Sequence, residues 1–451
     1  MSDAVHIVSF ILFISVCIVL ALRSKGNVAA FALSPVSVAV FFGSVVHLLV
    51  PALIFAFNER PKYQTSGYLA ESYGFGTLAF LAYIVAMIAA YAIFSRRQKL
   101  YDKQPIITTP PQIWIVVVFI AVPAFYGAFT VVQSILEIGV ARYMAARIFY
   151  GAEIGATRLL YFLLYTLAAV SLVGVIVGKS KYRQAALLLF TSSAVALLVT
   201  AYFTGNRNSV FIMLVMLALT MIALLPRNKL KIKPLHLFGI LALAALLSAF
   251  GDYRRALAVG DASTFQFSGV MRGMNYTFGN HENVVFLIEN SGYELSHGQT
   301  FAAAATAFVP RVLWPDKPIG AGPVMKNIVS PNSYQLGSRN ASSVTTGVVA
   351  EAMLNFGNFG PPFVGFIHGG ILALLVFRFR KSRNPFFLVF HITIYTAFTV
   401  LIFYSEFFGM VGRLFVVATP LLAAGLVCYY VTRPRTSRRG IARKPILSLF
   451  G

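Results

Sequence analysis

The run Gly74-Phe75-Gly76-Thr77-Leu78-Ala79-Phe80-Leu81-Ala82-Tyr83-Ile84-Val85-Ala86-Met87-Ile88-Ala89-Ala90-Tyr91-Ala92-Ile93-Phe94 carries no charge, and Arg96, Arg97, Lys99 and Lys103 follow it closely. A helix of about twenty apolar residues crosses a bilayer core of roughly 30 Å. The run lacks the apolar–polar alternation of a barrel strand, so a helix is expected. The same signature recurs along the chain. It predicts spans near 5–22, 33–57, 74–94, 112–133, 158–177, 185–203, 209–225, 235–251, 360–377, 385–404 and 410–431. The expected fold is an all-α polytopic membrane protein with about 11 transmembrane helices and one large outer loop containing short helices.

Composition agrees. Hydrophobic residues make up 58% of the chain and charged residues 11%, whereas soluble proteins carry about a quarter charged residues. Cys17 and Cys428 lie in apolar runs near opposite ends, which suggests neither a disulfide framework nor a thiolate metal site. The first span lacks a basic leader, since Asp3 is its only early charge, and Arg23 and Lys25 follow it. It reads as a retained helix with its N-terminus outside. The expected division is a bundle of about eight spans over 1–251, a loop over 252–345, further spans over 346–431 and a basic tail over 432–451.

The net charge of +23 is a topology signal. Of the 37 basic residues, 23 fall in one alternate set of loops, with Asp102 as the sole acid there. The opposite side holds the other 14 with 13 acids. The positive-inside bias places the first set in the cytoplasm, against anionic lipid, and the C-terminus with it. A nucleic-acid partner is therefore not expected. Segment 134–157 reads as a helix lying along the interface.

The chemistry is expected in the polar stretch Gly251 to Val344 and just beyond it. Here His281 to Asn290 reads as a short helix capped by Asn280, and Phe301 to Val309 as a second one ending before Pro310. Pro310, Pro315 and Pro318 stiffen the next piece, and Trp314 suits headgroup level. Arginine on the outer side runs against the charge bias. Arg207, Arg254, Arg255, Arg272, Arg311 and Arg413, with Lys317, come from separate outer segments. Guanidinium matches phosphate oxygens with paired donors, so a shared anionic lipid headgroup would account for the set. Ion pairs with the outer acids are the plainer alternative for each one. Glu351 is a candidate base or orienter, and His281 and Glu282 are alternative bases. Glu406 is an isolated acid in an apolar turn, and His368 lies within a span, where a helix contact is expected. No phosphate loop, His-Glu-x-x-His pattern or acidic pair for a divalent ion is present, so neither metal nor cofactor is expected.

The order of these features resembles the bacterial oligosaccharide repeat-unit polymerases, the Wzy-type O-antigen polymerases. The matching pieces are Gly205-x-Arg207, Arg272-Gly273 and Gly298-x-Thr300-Phe301. They continue with Pro310-Arg311-x-Leu313-Trp314-Pro315-x-Lys317-Pro318 and Glu351-x-x-x-Asn355-Phe356-Gly357-x-x-Gly360. They cover roughly 200–370, and the earlier part matches only in hydropathy. The resemblance implies a GT-C-like glycosyltransferase of the bacterial inner membrane that needs no metal. It would transfer a growing glycan from undecaprenyl diphosphate to a lipid-linked repeat unit at the periplasmic face. Arg207, Arg272, Arg311 and Lys317 would hold the diphosphate, and Glu351 would be base or orienter. Lipid-linked oligosaccharides, membrane lipids and a chain-length regulator are the partners it implies. An O-antigen ligase-type transferase and a lipid-linked sugar transporter stay open as alternatives. A transporter would show internal repeats and charges near mid-membrane, whereas the ionisable residues here crowd the outer boundary.

The topology is directly testable. A reporter active only in the periplasm, fused after Lys326, is expected to be active, and one fused after Lys229 silent; the reverse pattern inverts the map.

Overall fold

The computed structural model describes residues 2–25, 27–57, 63, 70–95, 113–225, 273–275, 277–307, 309, 313–335, 338, 343–375 and 384–432. Helix is the only regular structure among them. This follows from the solvent: in hydrocarbon a helix satisfies its own backbone. The first ten helices are α1 Ser2–Arg23, α2 Val28–Ala32, α3 Pro35–Ala56, α4 Ala70–Ser95, α5 Ile113–Ile138, α6 Val140–Ala145, α7 Arg147–Glu153, α8 Leu163–Val177, α9 Ser180–Thr204 and α10 Arg207–Leu224. Then come α11 His281–Glu289, α12 Gln299–Ala305, α13 Ala321–Val329, α14 Val348–Phe356, α15 Gly360–Leu375, α16 Pro385–Tyr404 and α17 Phe407–Thr432.

Among the described residues, nine helical segments are long and apolar enough to cross a membrane, and α10 is a shorter apolar helix. The chain is an all-α polytopic membrane protein. The expected span at 235–251 lies outside the described residues; each of the others meets a helix. Most of α16 is buried among the other helices and most of α1 is not, so α16 is central and α1 peripheral.

Local sequence explains the breaks. Gly205, at φ +63, takes the left-handed conformation that turns α9 into α10 within two residues. α3 carries a π turn at Val45–Leu49 just before Pro51. Proline has no N–H and crowds the carbonyl four residues back, and the wider turn accommodates it. α16 carries a second π turn at Ala397–Leu401. There His368 Nε2 meets the Phe398 carbonyl at 2.7 Å, while its Nδ1 meets the Tyr83 hydroxyl. His368 thus joins α15 to α4 and α16, a helix contact as expected.

Some boundaries differ from the sequence reading. The expected interfacial helix at 134–157 is instead the end of α5 followed by two short helices, because Gly139 and Gly155 interrupt it at positive φ. α12 starts two residues early and stops at Ala305; Thr306 turns its hydroxyl onto the Ala302 and Ala303 carbonyls. Asn280 does precede α11, but its side chain makes no cap. It bonds the Phe403 carbonyl, Thr345 and Asn283 instead. The span expected at 360–377 begins at Val348, since one 3₁₀ turn at Gly357–Phe359 joins α14 to α15. Glu351 therefore lies inside that rod.

The closest helix contact is between α4 and α15. A methyl group at Gly365 would fall on the Tyr83 carbonyl, and one at Gly369 on the Met87 carbonyl. The two glycines, four residues apart, let the backbones touch, a common device where hydrophobic driving force is absent. Gly369→Leu is expected to cost about 1–3 kcal/mol, as overpacking does, read as a lower unfolding temperature in detergent. Gly370→Leu, whose methyl would meet only the Phe94 ring at 3.6 Å, should be tolerated; equal losses would refute the contact.

Candidate functional site

Glu351 gathers three elements. It lies in the first turn of α14 and is fully buried. Its Oε1 accepts from the Thr300 hydroxyl of α12 at 2.9 Å, and its Oε2 from the Phe407 N–H at 2.8 Å. Phe407 is the first residue of α17, whose leading N–H groups have no partner within the helix. A carboxylate there is favoured by the helix dipole. Asn355, one turn along α14, donates to Thr300 Oγ1 and to the Glu351 carbonyl, both at 2.7 Å. Two segments that the resemblance singled out separately thus meet through Thr300, Glu351 and Asn355.

Glu406 performs a parallel task. It sits between α16 and α17, and its Oε2 accepts from the Gly322 N–H at 2.7 Å, in the first turn of α13. Burial pushes its carboxyl up, opposed by that hydrogen bond and by the Arg413 charge.

Arg413 lies in the second turn of α17. Its guanidinium carbon is 5.5 Å from the centre of the Phe162 ring, close enough for cation–π attraction. Its charge acts on Tyr165, Tyr404 and Glu406. Among the described residues, its buried Nη1 has no hydrogen-bond partner, and neither has the buried Tyr404 hydroxyl. Buried polar groups are nearly always paired, so an orphaned pair calls for a specific explanation. Beneath Arg413, Phe162 packs against Tyr161 at 4.4 Å. Asn206 donates to the Tyr161 hydroxyl at 2.6 Å. The turn that precedes Arg207 is thereby tied to the floor of the Arg413 site. Arg207 heads α10; its side chain lies outside the described part, as do Arg254, Arg255, Arg272 and Arg311.

Lys317, His281 and Glu282 are held by bonds of their own. Lys317 reaches the Val309 carbonyl at 2.8 Å and the Ala307 and Thr306 carbonyls at 3.4 and 3.5 Å. It closes the C-terminal end of α12, where a cation suits the dipole. His281 and Glu282 are buried in α11. His281 Nδ1 lies 3.4 Å from His47 Nδ1. Burial, then the charge of His6, pushes its imidazole down to about 3. Glu282 Oε1 accepts from Asn275 at 3.0 Å. Both side chains are enclosed within the packing around α11. Sequence reasoning missed Tyr404, which hides in an apolar run, and the capping role of Glu406. The signal for Glu406 was present: a lone carboxylate in an apolar turn needs a donor.

Among the described residues no three His, Cys, Asp or Glu side chains gather to hold a metal ion. Compared with family models, curated proteins and solved structures, the chain matches none.

Removing the Glu351 carboxylate orphans one buried N–H and one hydroxyl. Glu351→Ala is expected to lose about 3 kcal/mol of stability, measured by thermal unfolding, with Glu351→Gln losing clearly less. Parent-like stability of the alanine variant would refute the bridging role.

Proposed function

We propose that the chain is a glycosyltransferase of the lipid-linked kind. It moves a growing glycan from a polyprenyl diphosphate carrier onto a second lipid-linked repeat unit. The observation that carries this reading is the orphaned pair, Arg413 Nη1 and the Tyr404 hydroxyl, buried where the loop helices meet the membrane helices. Both are donors, and a phosphate oxygen satisfies both. The resemblance to Wzy-type polymerases implies the same anion-binding role for Arg207, Arg272 and Arg311. The end of the bundle that holds this group is the periplasmic one in this reading. The N-terminus is then periplasmic, the C-terminus cytoplasmic and the membrane a bacterial inner membrane.

The chemistry follows from the donors. Attack of an acceptor hydroxyl on the anomeric carbon expels a diphosphate, which needs no proton but does need its developing charge stabilised. Arg413 and Tyr404 supply that. Glu351, enclosed and hydrogen-bonded through both oxygens, acts as orienter. Glu406 stands beside Arg413 with its carboxyl poised upward, so it is the better placed base for the hydroxyl proton.

Purified protein with a lipid-linked repeat unit as its only substrate is expected to make long glycan. Arg413→Ala should lower the rate by roughly a hundredfold or more, with the protein still folded in the membrane, and Arg311→Ala should do likewise. Long-chain product at the parent rate from Arg413→Ala would overturn the assignment.

A further inference from the structure

Five phenylalanines form an unbroken ring-to-ring path that ends at the candidate site. Phe407 meets Phe301 edge to face at 5.3 Å, and Phe301 stacks on Phe356 at 6.2 Å. Phe356 meets Phe363 edge to face at 5.4 Å, and Phe363 stacks on Phe359 at 6.0 Å. The outer end is open: Phe359 is 70% exposed and Phe363 42%, on a segment apolar enough to span the membrane. The inner rings are half-buried, unlike the enclosed Tyr83 and Phe403 of the core. The inner end is polar at once, because the Phe407 N–H is the one that Glu351 holds. Arg413 lies six residues along the same helix, roughly 9 Å at 1.5 Å per residue.

We infer that this path is the seat of the substrate's polyprenyl tail, an inference that rests on the transferase reading above. The choice of occupant comes from where the path goes. It leaves the membrane-helix surface at Phe359 and Phe363 and passes beneath Phe301, which belongs to loop helix α12. The tail of an ordinary phospholipid gains nothing by leaving hydrocarbon for that inner end. A tail whose head is an anion held at Arg413 is drawn there by its own covalent attachment. Ring faces and edges offer apolar contact to such a chain over its whole course. The tail would thus align the diphosphate with the orphaned donors before any sugar is engaged.

The test uses the full-length protein in detergent–lipid micelles and two photoreactive probes, a polyprenyl diphosphate and a phosphatidylglycerol, each with its reactive group in the tail. Peptide mapping after illumination is expected to place the polyprenyl adduct on 356–363, displaced by unlabelled polyprenyl diphosphate and not by unlabelled phosphatidylglycerol. Adducts elsewhere, or equal displacement by both lipids, overturn the inference. In the enzymatic arm, the Phe359→Ala, Phe363→Ala double variant is compared with the parent on repeat units carrying a long or a short polyprenyl chain. The preference for the long chain, as the KM ratio, should shrink roughly tenfold. An unchanged ratio overturns the inference. The two readings fail separately: glycan synthesis with adducts elsewhere removes the tail path alone, and adducts on 356–363 without any synthesis remove the transferase reading alone.

Discussion

The buried carboxylate of Glu351 is the interaction on which the polar end of this protein depends. One oxygen holds the loop through Thr300 and the other holds the start of the last helix through Phe407. Its own backbone belongs to a rod that runs into the membrane. A carboxyl group in a low-dielectric interior is costly alone and firmly held when hydrogen-bonded. Here it is paired twice, so loop, rod and last helix share one register. Arg413 takes its place from that register, being two turns into the helix whose first N–H the carboxylate fixes. Glu406 extends the arrangement by tying α13 to the same corner.

The membrane part obeys a different rule. Between apolar helices in lipid there is little hydrophobic gain, so contact comes from close approach and from buried hydrogen bonds. Gly365 and Gly369 provide the first, and His368, bonded to Tyr83 and to the Phe398 carbonyl, the second. The freed geometry of the π turn in α16 brings that carbonyl within reach of the imidazole. Hydroxyls of Thr393, Thr396 and Thr399 return to carbonyls four residues back along the same helix. Polar side chains can therefore sit in this span without seeking lipid.

The spans were legible because an apolar run of sufficient length has one outcome in a bilayer. The Gly205 turn was legible for a similar reason, as a lone glycine between two such runs. The start of the α14–α15 rod was not, because Glu351, Asn355 and Gly357 read as loop residues. Only their tertiary partners let them stay helical. α13 escaped notice since its nine residues, Ala321–Val329, include Gly322 and Pro323, both poor helix formers. Of the candidate site, sequence pointed to Glu351 and Arg413. For His281, Glu282 and Lys317 it could not supply their surroundings, because residue type does not reveal burial or a neighbouring helix end. It undervalued Tyr404, because a tyrosine among Leu, Ile and Phe carries no mark of a missing partner.

The backbone contact between α4 and α15 has a consequence for motion. Two helices separated by side chains can slide as rotamers readjust, but carbonyl against glycine leaves no layer to shear. α4 and α15 therefore behave as one beam, and the Glu351 corner is anchored to it through α14. Any opening of this corner therefore falls to the opposite flank, where Phe162 lies under Arg413 and Asn206 holds the neighbouring Tyr161. On that flank the described joints are ring contacts and the Asn206–Tyr161 hydrogen bond, which can part and reform.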